Sequence, residues 1–293
     1  MDGNELALRV GYAGYKILQE WTTDHEMAKS RLIALQQDLA DIDLETITWR
    51  PVDLLDICAG YSEWASTYDR ASNPFVELAY GEVFAVGSTW LPRSDERVVL
   101  DAGVGTGQGQ QTWAWGGTMV ALDLNLGMLD IFRAKNPRVQ IVQGDMTAMP
   151  LADHSFHLIR CGFVLSHLAD VGAAFAEFAR VVEKNGRIEV VDVHPHAVLT
   201  GANGIYRRAT GSIGCVPVHR HLVSTYLHAA SANRLHLSRV EEICWPANVA
   251  TSPGLIATET KGIARPIIQA GEPALLRLTL APQQPDHGRS AKE

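Results

Sequence analysis

The sequence lacks several features that would place the protein in a membrane or on nucleic acid. No apolar run approaches the length of about 18 residues that a membrane-spanning helix needs. Lysine and arginine form no cluster, and the formal charge of the 293-residue chain is −8. Because anionic phosphates attract basic patches, neither a nucleic acid nor a membrane surface is an expected partner.

Cysteine is also scarce, and no secretory signal is visible. The four cysteines show neither disulfide nor zinc spacing, so we expect isolated, reduced thiols. The first residues, Met-Asp-Gly-Asn-Glu, are acidic and lack the basic and apolar regions of a secretory signal. These observations predict a cytoplasmic protein. The composition, 46% apolar and 20% charged, is typical of a globular chain with one sizeable core and additions.

The amino-terminal part has helical patterns. An apolar stripe predicts a first helix, and Thr23 with Glu26 has the spacing of a capping box for a second. Asn73 followed by Pro74 predicts another helix start. We therefore assign residues 1–92 to an N-terminal helical cap region. The stripe of the first helix comprises Leu6, Val10, Ile17, Leu18 and Trp21.

Apolar strands and helical segments alternate after residue 97, which is typical of a doubly wound α/β fold with a mostly parallel sheet. The pattern then breaks into a segment with four glycines, which we interpret as an inserted lid at 194–217. The core spans 93–281, and the polar tail 282–293 is expected to be disordered. A helix is predicted at 219–231, and strands at 97–101, 118–122, 139–142, 156–161, 187–193, 237–244 and 274–280.

The clearest functional motif is residues 98–107, Val-Val-Leu-Asp-Ala-Gly-Val-Gly-Thr-Gly. A buried strand ends at Asp101 and continues into alternating glycines, whose backbone can pass close to a ligand. The dinucleotide fingerprint G-x-G-x-x-G would require a glycine where Gln108 stands. A carboxylate before the glycines also suits a ligand with an ammonium group better than a pyrophosphate. The motif therefore favours the methionine end of S-adenosylmethionine over a nicotinamide dinucleotide.

Acidic residues recur at the ends of three successive predicted strands. Asp123 follows the second strand, where a carboxylate can accept hydrogen bonds from both ribose hydroxyls, and Asp145 follows the third. Because the carboxyl ends of parallel strands form one crevice, we expect Asp101, Asp123 and Asp145 to converge on one ligand.

Taken in order, these motifs resemble those of the class I S-adenosylmethionine-dependent methyltransferases, the group that includes ubiquinone and menaquinone biosynthesis enzymes. The resemblance extends from about residue 68 to residue 193. It includes residues 149–151, Met-Pro-Leu, and residues 163–168, Phe-Val-Leu-Ser-His-Leu. It implies a Rossmann-like sheet of seven strands in which the last strand is antiparallel.

The resemblance also implies how S-adenosylmethionine is held. The glycines would lie against its methionine part, with Asp101 near the amino group, and Asp123 would bind the ribose. Leu124 and Met128 would enclose the adenine, while residues 145–146 would contact its edge and residues 161–163 would close over the methionine part. The implied cofactor-binding set is Tyr68, Asp101, Gly103, Gly105, Gly107, Asp123, Leu124, Met128, Asp145, Met146, Cys161 and Phe163.

Aromatic residues before the core have two readings. Tyr61, Trp64 and Tyr68 could cover the cofactor's sulfonium, since a positive charge is attracted to aromatic faces. They could equally pack the amino-terminal helices against the sheet. The sequence leaves both readings open.

Methyl transfer from a sulfonium is an in-line displacement that depends mostly on position and desolvation. A hydroxyl acceptor gains from a general base near neutral pKa, and histidine suits that role. His194, directly after a strand end, is the preferred base, and His167 is the second candidate; the alternative is that either one only bonds a backbone carbonyl. The pairs His194/His196 and His219/His221 lack carboxylates at helical spacing, so no metal is predicted.

These features predict a methyltransferase that acts on an oxygen or nitrogen of a small molecule. By analogy with tailoring enzymes we place the acceptor in secondary metabolism, such as antibiotic biosynthesis. Carbon methylation of the quinone type and a non-methylating cyclisation or rearrangement are the alternatives. A nicotinamide-dependent oxidoreductase is disfavoured, and a non-enzymatic partner protein that has kept the fold remains open. The sequence also leaves open whether the protein is a homodimer.

Overall fold

The computed structural model describes residues 3–49, 51–70, 73–80, 97–108, 117–247 and 270–283. We number the elements within these residues in chain order. The helices are α1 (Gly3–Glu20), α2 (His25–Ala40), α3 (Ile57–Tyr68), α4 (Pro74–Leu78), α5 (Leu126–Lys135), α6 (Val171–Val181), α7 (Pro195–Leu199) and α8 (Val223–Ala232). The strands are β1 (Val52–Leu54), β2 (Val98–Ala102), β3 (Thr118–Asp123), β4 (Gln140–Gln143), β5 (Phe156–Gly162), β6 (Val182–Val193), β7 (Gly204–Arg207), β8 (Ile213–Val216), β9 (Leu235–Cys244) and β10 (Pro273–Pro282).

The main sheet contains seven strands in the order β4-β3-β2-β5-β6-β10-β9. The strands from β4 to β6 are parallel, whereas β10 runs antiparallel between β6 and β9. The predicted mostly parallel α/β fold and its antiparallel last strand are therefore confirmed. The strand predicted at 187–193 begins earlier, because Val182 already pairs with Phe156 of β5.

The main core lies on one face of this sheet. Ile159, Ile188 and Leu278 come from three neighbouring strands, have no exposed area and belong to one cluster with Phe175 and Phe178 of α6. Apolar area removed from water stabilises the fold by roughly 25 cal/mol per Å². The cluster thereby makes the sheet a rigid support for its carboxyl-terminal edge.

The opposite face carries a row of buried charges. Arg160 of β5 is in register with Asp101 of β2 on one side and with Glu189 of β6 on the other. Glu189 in turn accepts hydrogen bonds of 3.3 Å from Arg277 and of 3.1 Å from Thr279 on β10. Because buried charges are costly unless paired, the alternating signs along the row offset their loss of water.

The amino-terminal helices differ from the expected stripe and cap. The capping box at Thr23 and Glu26 is wrong, because the Asp24 side chain caps α2 by accepting a 2.9 Å hydrogen bond from the Met27 amide. Leu18 and Trp21 of the predicted apolar stripe are 71% and 56% exposed. The helix starting at Pro74 is confirmed, with Asn73 accepting from the Phe75 amide.

A second, three-stranded sheet lies outside the main one. Its order is β1-β8-β7, with β1 parallel to β8 and β7 antiparallel to β8. The segment 194–217 therefore folds as α7 and the β7–β8 hairpin. Arg208, just after β7, donates to Glu63 of α3 at 2.8 Å and to Asp53 of β1 at 2.5 Å. These bonds join the hairpin to α3 and β1; its role as a lid stays a prediction.

The other predictions concern the carboxyl-terminal part. The helix predicted at 219–231 begins at Val223, because the His219 amide is used in a bond to the Ser166 carbonyl. The disordered tail predicted at 282–293 lies outside the described residues, except for Pro282 in β10 and Gln283. Among the helices of the described part, none combines the length and the apolarity needed to cross a membrane.

Candidate cofactor-binding site

A cavity opens at the carboxyl-terminal ends of β2, β3, β4 and β5, under α3. Counted with its open mouth, the space between these elements is about 1080 Å³, part of which is open solvent. The described residues lining it are Ile57, Cys58, Tyr61, Tyr68, Val76, Tyr80, Gly103, Val104, Gly105, Thr106, Gln108, Leu122, Asp123, Leu124, Asn125, Met128, Gly144, Asp145, Met146, Gly162, Phe163, Val164, His167 and Leu168.

The glycine-rich turn after β2 forms one wall of the cavity. Gly103 has a φ of +78°, and a Cβ there would lie 2.3 Å from Val164 Cγ2. Gly105 has a φ of +56°, and nothing lies within 4 Å of its would-be Cβ, so the space beside it is open. The turn needs glycine for its backbone conformation at both positions, and at Gly103 also for close packing.

Asp123 holds this turn to the end of β3. Its Oδ2 accepts a 2.7 Å hydrogen bond from the Gly105 amide, and its Oδ1 accepts a 2.8 Å bond from the Asn125 amide. Burial raises the pKa of Asp123, and the two amide bonds oppose that shift. A carboxylate fixed in this way at the cavity wall is preorganised for ligand hydroxyls.

Asn125 is a site residue that the sequence reasoning missed. Its Oδ1 caps α5 at the Met128 amide, and its Nδ2 donates to the Cys58 carbonyl at 2.9 Å and to Ser62 Oγ at 2.8 Å. One side chain therefore positions both α5 and α3 at the cavity. An asparagine directly before an apolar helical segment is a helix-cap signal that could have identified it.

The part of the cavity assigned to adenine is built from two strand ends. Leu124 and Met128 follow β3, and Asp145 and Met146 follow β4; all four line the cavity as predicted. Asp145 Oδ1 accepts from the Thr147 amide at 2.8 Å and its hydroxyl at 2.7 Å. This turn fixes the backbone of residues 145–147 beside the cavity.

Aromatic side chains form the roof. Tyr61 and Tyr68 of α3 line the cavity, and Trp64 contacts both, with ring centroids 5.8 and 5.0 Å away. Trp64 also stacks on Tyr206 of β7 at 5.0 Å. The cluster borders the cavity and packs α3 against the hairpin, and its predicted contact with the sulfonium stays a prediction.

His167 is the histidine that the structure brings into the cavity. Its Nδ1 lies 2.6 Å from the Pro217 carbonyl oxygen, and its Nε2 lies 2.8 Å from the Tyr61 hydroxyl. Burial lowers the pKa of His167, and the bond to the carbonyl only partly offsets this. A neutral, oriented imidazole therefore faces the same space as the glycine turn.

Comparison with known proteins fits this architecture. A family profile described as a methyltransferase domain matches residues 100–190. A demethylmenaquinone methyltransferase of Renibacterium salmoninarum is 37% identical over 99 residues, which cover 33% of this chain and 42% of that protein. A malonyl-[acyl-carrier protein] O-methyltransferase of Yersinia pestis is 36% identical over 138 residues, 47% of this chain and 50% of that protein.

Residues 100–190 therefore form a methyltransferase domain similar to those of the class I S-adenosylmethionine-dependent methyltransferases. A solved methyltransferase structure from Mesorhizobium loti shares the fold, with a TM-score of 0.50 and 20% identity over 70% of this chain and 99% of that one. The alignments span 42% and 50% of the two curated relatives above. The matched range, residues 100–190, includes most of β2 to β6 and the turns that build the cavity.

The preferred base of the sequence analysis, His194, lies outside the cavity of the methyltransferase domain. It caps α7, where its Nδ1 accepts a 3.0 Å hydrogen bond from the His196 amide, and its Nε2 lies 3.1 Å from Glu242 Oε1. His194 does follow the end of a strand, but the end of β6 does not line the cavity. The geometry therefore does not support His194 as the base.

Three residues of the implied cofactor set are also absent from the cavity lining. Asp101 is 4% exposed and lies beside Arg160, Cys161 has no exposed area and belongs to the main core, and a Cβ on Gly107 would meet Phe132 at 2.7 Å. The direct contacts predicted for them with the cofactor stay predictions. Their visible roles in the methyltransferase domain are in packing beneath the turn.

Proposed function

We propose that this protein transfers a methyl group from S-adenosylmethionine to an oxygen or nitrogen of a small-molecule acceptor by in-line displacement. The observation that carries the proposal is Asp123, a half-buried carboxylate fixed by the Gly105 amide at the cavity wall. The match of residues 100–190 to a methyltransferase domain supports the same cofactor. S-adenosylmethionine would supply the electrophilic methyl group.

The charges of the cavity suit this cofactor. The described lining residues include Asp123 and Asp145 but no lysine or arginine. A sulfonium and an ammonium group favour carboxylates and aromatic faces, whereas a pyrophosphate would favour basic groups. Asp123 would bind the ribose, Leu124 and Met128 would enclose the adenine, and Tyr68 would cover the sulfonium.

Calorimetric titration with S-adenosylmethionine tests the proposal. We expect Asp123→Ala to weaken binding about 10- to 100-fold, since a hydrogen bond to a charged group contributes roughly 1.5–3 kcal/mol. Asp123→Asn removes the charge but keeps one acceptor oxygen for the amides of the turn. It therefore separates the effect of the charge from the effect of the turn's hydrogen bonds. The matched control is Asp130→Ala on α5, where the carboxylate is 68% exposed, and its affinity should change less than about twofold. Tight binding of NAD, or no binding of S-adenosylmethionine by the wild type, contradicts the proposal.

The acceptor is proposed to be a small molecule of secondary metabolism. Carbon methylation of a quinone-type ring is the second candidate, because one of the matching relatives is a demethylmenaquinone methyltransferase. Mass spectrometry of small molecules retained by gently purified protein tests both, since the position of a transferred methyl group separates oxygen, nitrogen and carbon. Conversion of the acceptor without release of S-adenosylhomocysteine would instead indicate a cyclisation or rearrangement.

A further inference from the structure

Tyr61 and His167 form a hydrogen-bonded chain with a defined direction. The Pro217 carbonyl can only accept, so His167 Nδ1 carries the hydrogen of the 2.6 Å bond between them. In a neutral ring Nε2 is then an acceptor, and the Tyr61 hydroxyl 2.8 Å away must donate to it. Burial keeps both groups neutral, because it raises the pKa of Tyr61 and lowers the pKa of His167.

We propose that Tyr61 and His167 together accept the proton of the acceptor, and that the acceptor therefore reacts through a hydroxyl group. This inference rests on the proposed function and narrows its acceptor to oxygen. Tyr61 becomes the residue that contacts the reacting hydroxyl, and His167 becomes the base behind it. Of these two residues, the sequence analysis assigned only His167 to catalysis.

The bond changes balance without a further reactant. The acceptor O–H bond breaks as its proton passes to Tyr61 Oη, while the proton of Tyr61 passes to His167 Nε2. The acceptor oxygen bonds to the methyl carbon as the carbon–sulfur bond breaks and its electron pair returns to sulfur. His167 is left as an imidazolium and releases the extra proton to solvent. An amine acceptor already has a lone pair when neutral and needs no such relay.

The other acidic groups of the cavity are occupied elsewhere. Asp123 uses both oxygens on the amides of the glycine turn and residue 125, and Asp145 Oδ1 is used by Thr147. Three of the four oxygens of these two carboxylates thus already accept hydrogen bonds from the chain. Tyr68 packs beside Tyr61, with ring centroids 6.1 Å apart.

His167 is positioned by the segment that follows the hairpin. Pro217 comes directly after β8, the His219 amide donates to the Ser166 carbonyl at 2.7 Å, and His221 Nε2 bonds the Leu168 carbonyl at 2.7 Å. From below, buried Asp192 accepts from the Ser166 amide at 2.7 Å. Among the described residues, the charged or titratable groups that face the Tyr61–His167 pair are Tyr68 on α3, Asp123 at the end of β3, Asp192 on β6, and His219 and His221.

This arrangement couples the hairpin to the base. The Pro217 carbonyl fixes the proton of His167 on Nδ1. Displacement of β8 would remove this bond and allow the other tautomer, in which Nε2 carries the proton and cannot accept one. In its described position the hairpin therefore holds the ring in the proton-accepting tautomer.

Nitrogen NMR of the intact protein with ¹⁵N-labelled histidine tests the chain without any acceptor. We expect the wild type to show His167 with a protonated Nδ1 and an apparent pKa below 6.5. Tyr61→Phe should raise that pKa by about 0.5 to 1 unit, because it removes a donor that favours the neutral ring. The matched control is Tyr15→Phe, which removes a tyrosine from His196 and should leave the His167 titration unchanged. A protonated Nε2, or an unchanged pKa in Tyr61→Phe, overturns the proposal.

A paired-acceptor assay tests the chemistry. Release of S-adenosylhomocysteine is followed with phenol against aniline and with benzyl alcohol against benzylamine as probes. We expect turnover of the alcohols over the amines, a loss of at least about 100-fold in Tyr61→Phe and His167→Gln, and a pH–rate profile that flattens in both variants. Turnover of amines over alcohols, or full activity of Tyr61→Phe, overturns the inference. Calorimetry with S-adenosylmethionine on the same variants should give wild-type affinity, and failure of the wild type to bind would refute the proposed function instead.

Discussion

Two histidines follow neighbouring parallel strands, yet they have different surroundings. His167 comes after β5, and α3 and the hairpin enclose it with Tyr61 in the cavity. His194 comes directly after β6, where Glu242 of β9 and the start of α7 occupy its ring. A position after a strand end therefore does not show whether a histidine reaches the cavity. The elements that cover that strand end, which are remote in sequence, decide it.

The outer edge around His194 anchors the first helix. The Tyr15 hydroxyl of α1 donates to Glu272 Oε2 at 2.9 Å and lies 3.1 Å from His196 Nε2. Gln19 donates to the other oxygen of Glu272 at 2.9 Å. Burial, followed by the bond to Glu272, raises the pKa of Tyr15 to about 12. We call this group, Tyr15, Gln19, His196 and Glu272, the outer cluster, in contrast to the crevice that holds Asp123 and His167.

The largest contrast between the two edges is expected from glycine substitutions. Gly103→Ala should lower the free energy of unfolding by about 2–5 kcal/mol and weaken S-adenosylmethionine binding, because the positive φ costs roughly 1–2 kcal/mol and displacing Val164 costs roughly 1–3 more. Gly201, just after α7, also has a positive φ, but nothing lies within 4 Å of its would-be Cβ. Gly201→Ala should therefore cost only about 1–2 kcal/mol. Urea denaturation measures both.

Calorimetry completes this comparison. Gly201→Ala should bind S-adenosylmethionine as the wild type does, since Gly201 does not line the cavity. Equal losses of affinity in the two variants would contradict this expectation. They would mean that a change at the outer edge affects cofactor binding as much as a change in the crevice does.

The next contrast is in the pH dependence of stability, which should have opposite signs at the two edges. Burial raises the pKa of Asp192, beneath the crevice, from 3.8 to about 6 despite bonds from Ser166. The folded protein therefore binds the proton more tightly, and this contribution to stability is full below pH 4 and is lost as the pH rises to about 6. Two pKa units correspond to about 3 kcal/mol. In the outer cluster, burial acts to raise the pKa of Glu272, but bonds from Gln19 and Tyr15 outweigh it and lower it. Its contribution is present above pH 4.5 and is lost as the pH falls.

Denaturation curves between pH 4 and pH 7 measure these slopes. Asp192→Asn should remove the decline between pH 4 and pH 6, and Glu272→Gln, in curves extended to more acidic pH, should reduce the loss of stability below pH 4.5. If the decline in stability seen in the wild type persists in Asp192→Asn, a group other than Asp192 binds the proton.

The sheet and the glycine-rich turn after β2 could be predicted from the sequence, because the residues that determine them are close to them in sequence. The short apolar runs of the strands, the glycines after Asp101 and the acidic strand ends each lie within a few residues of what they position. Seven strands were predicted, and seven strands form the main sheet. The error at Thr23 was equally local, since the adjacent Asp24 competes for the same cap position.

The surroundings of His167 and the second sheet could not be predicted, because they depend on distant pairings. β1 pairs with β8 across more than 150 residues, and that pairing accompanies the placement of Pro217 beside His167. Tyr61 and Asn125 can be read from the sequence, but only the folded chain shows that both line the cavity. Asp101 is the opposite case. The sequence placed it at the cofactor, but in the structure it lies beside Arg160 of the neighbouring strand and does not line the cavity.

The smallest predicted effect concerns the anchor of α1. Tyr15→Phe removes the hydroxyl that contacts both Glu272 and His196, and we expect a loss of about 1 kcal/mol in the free energy of unfolding, because a typical net hydrogen bond contributes roughly that much. Hydrogen exchange should show faster exchange in α1 alone, since the helix contacts the outer cluster and not the crevice. Tyr61→Phe is the matched control, because it removes a tyrosine bond to a histidine at the other edge and should leave exchange in α1 unchanged. If Tyr15→Phe also accelerated exchange in the turn at residues 103–107, the two edges would behave as one cooperative unit, and the separation drawn from their contacts would not hold.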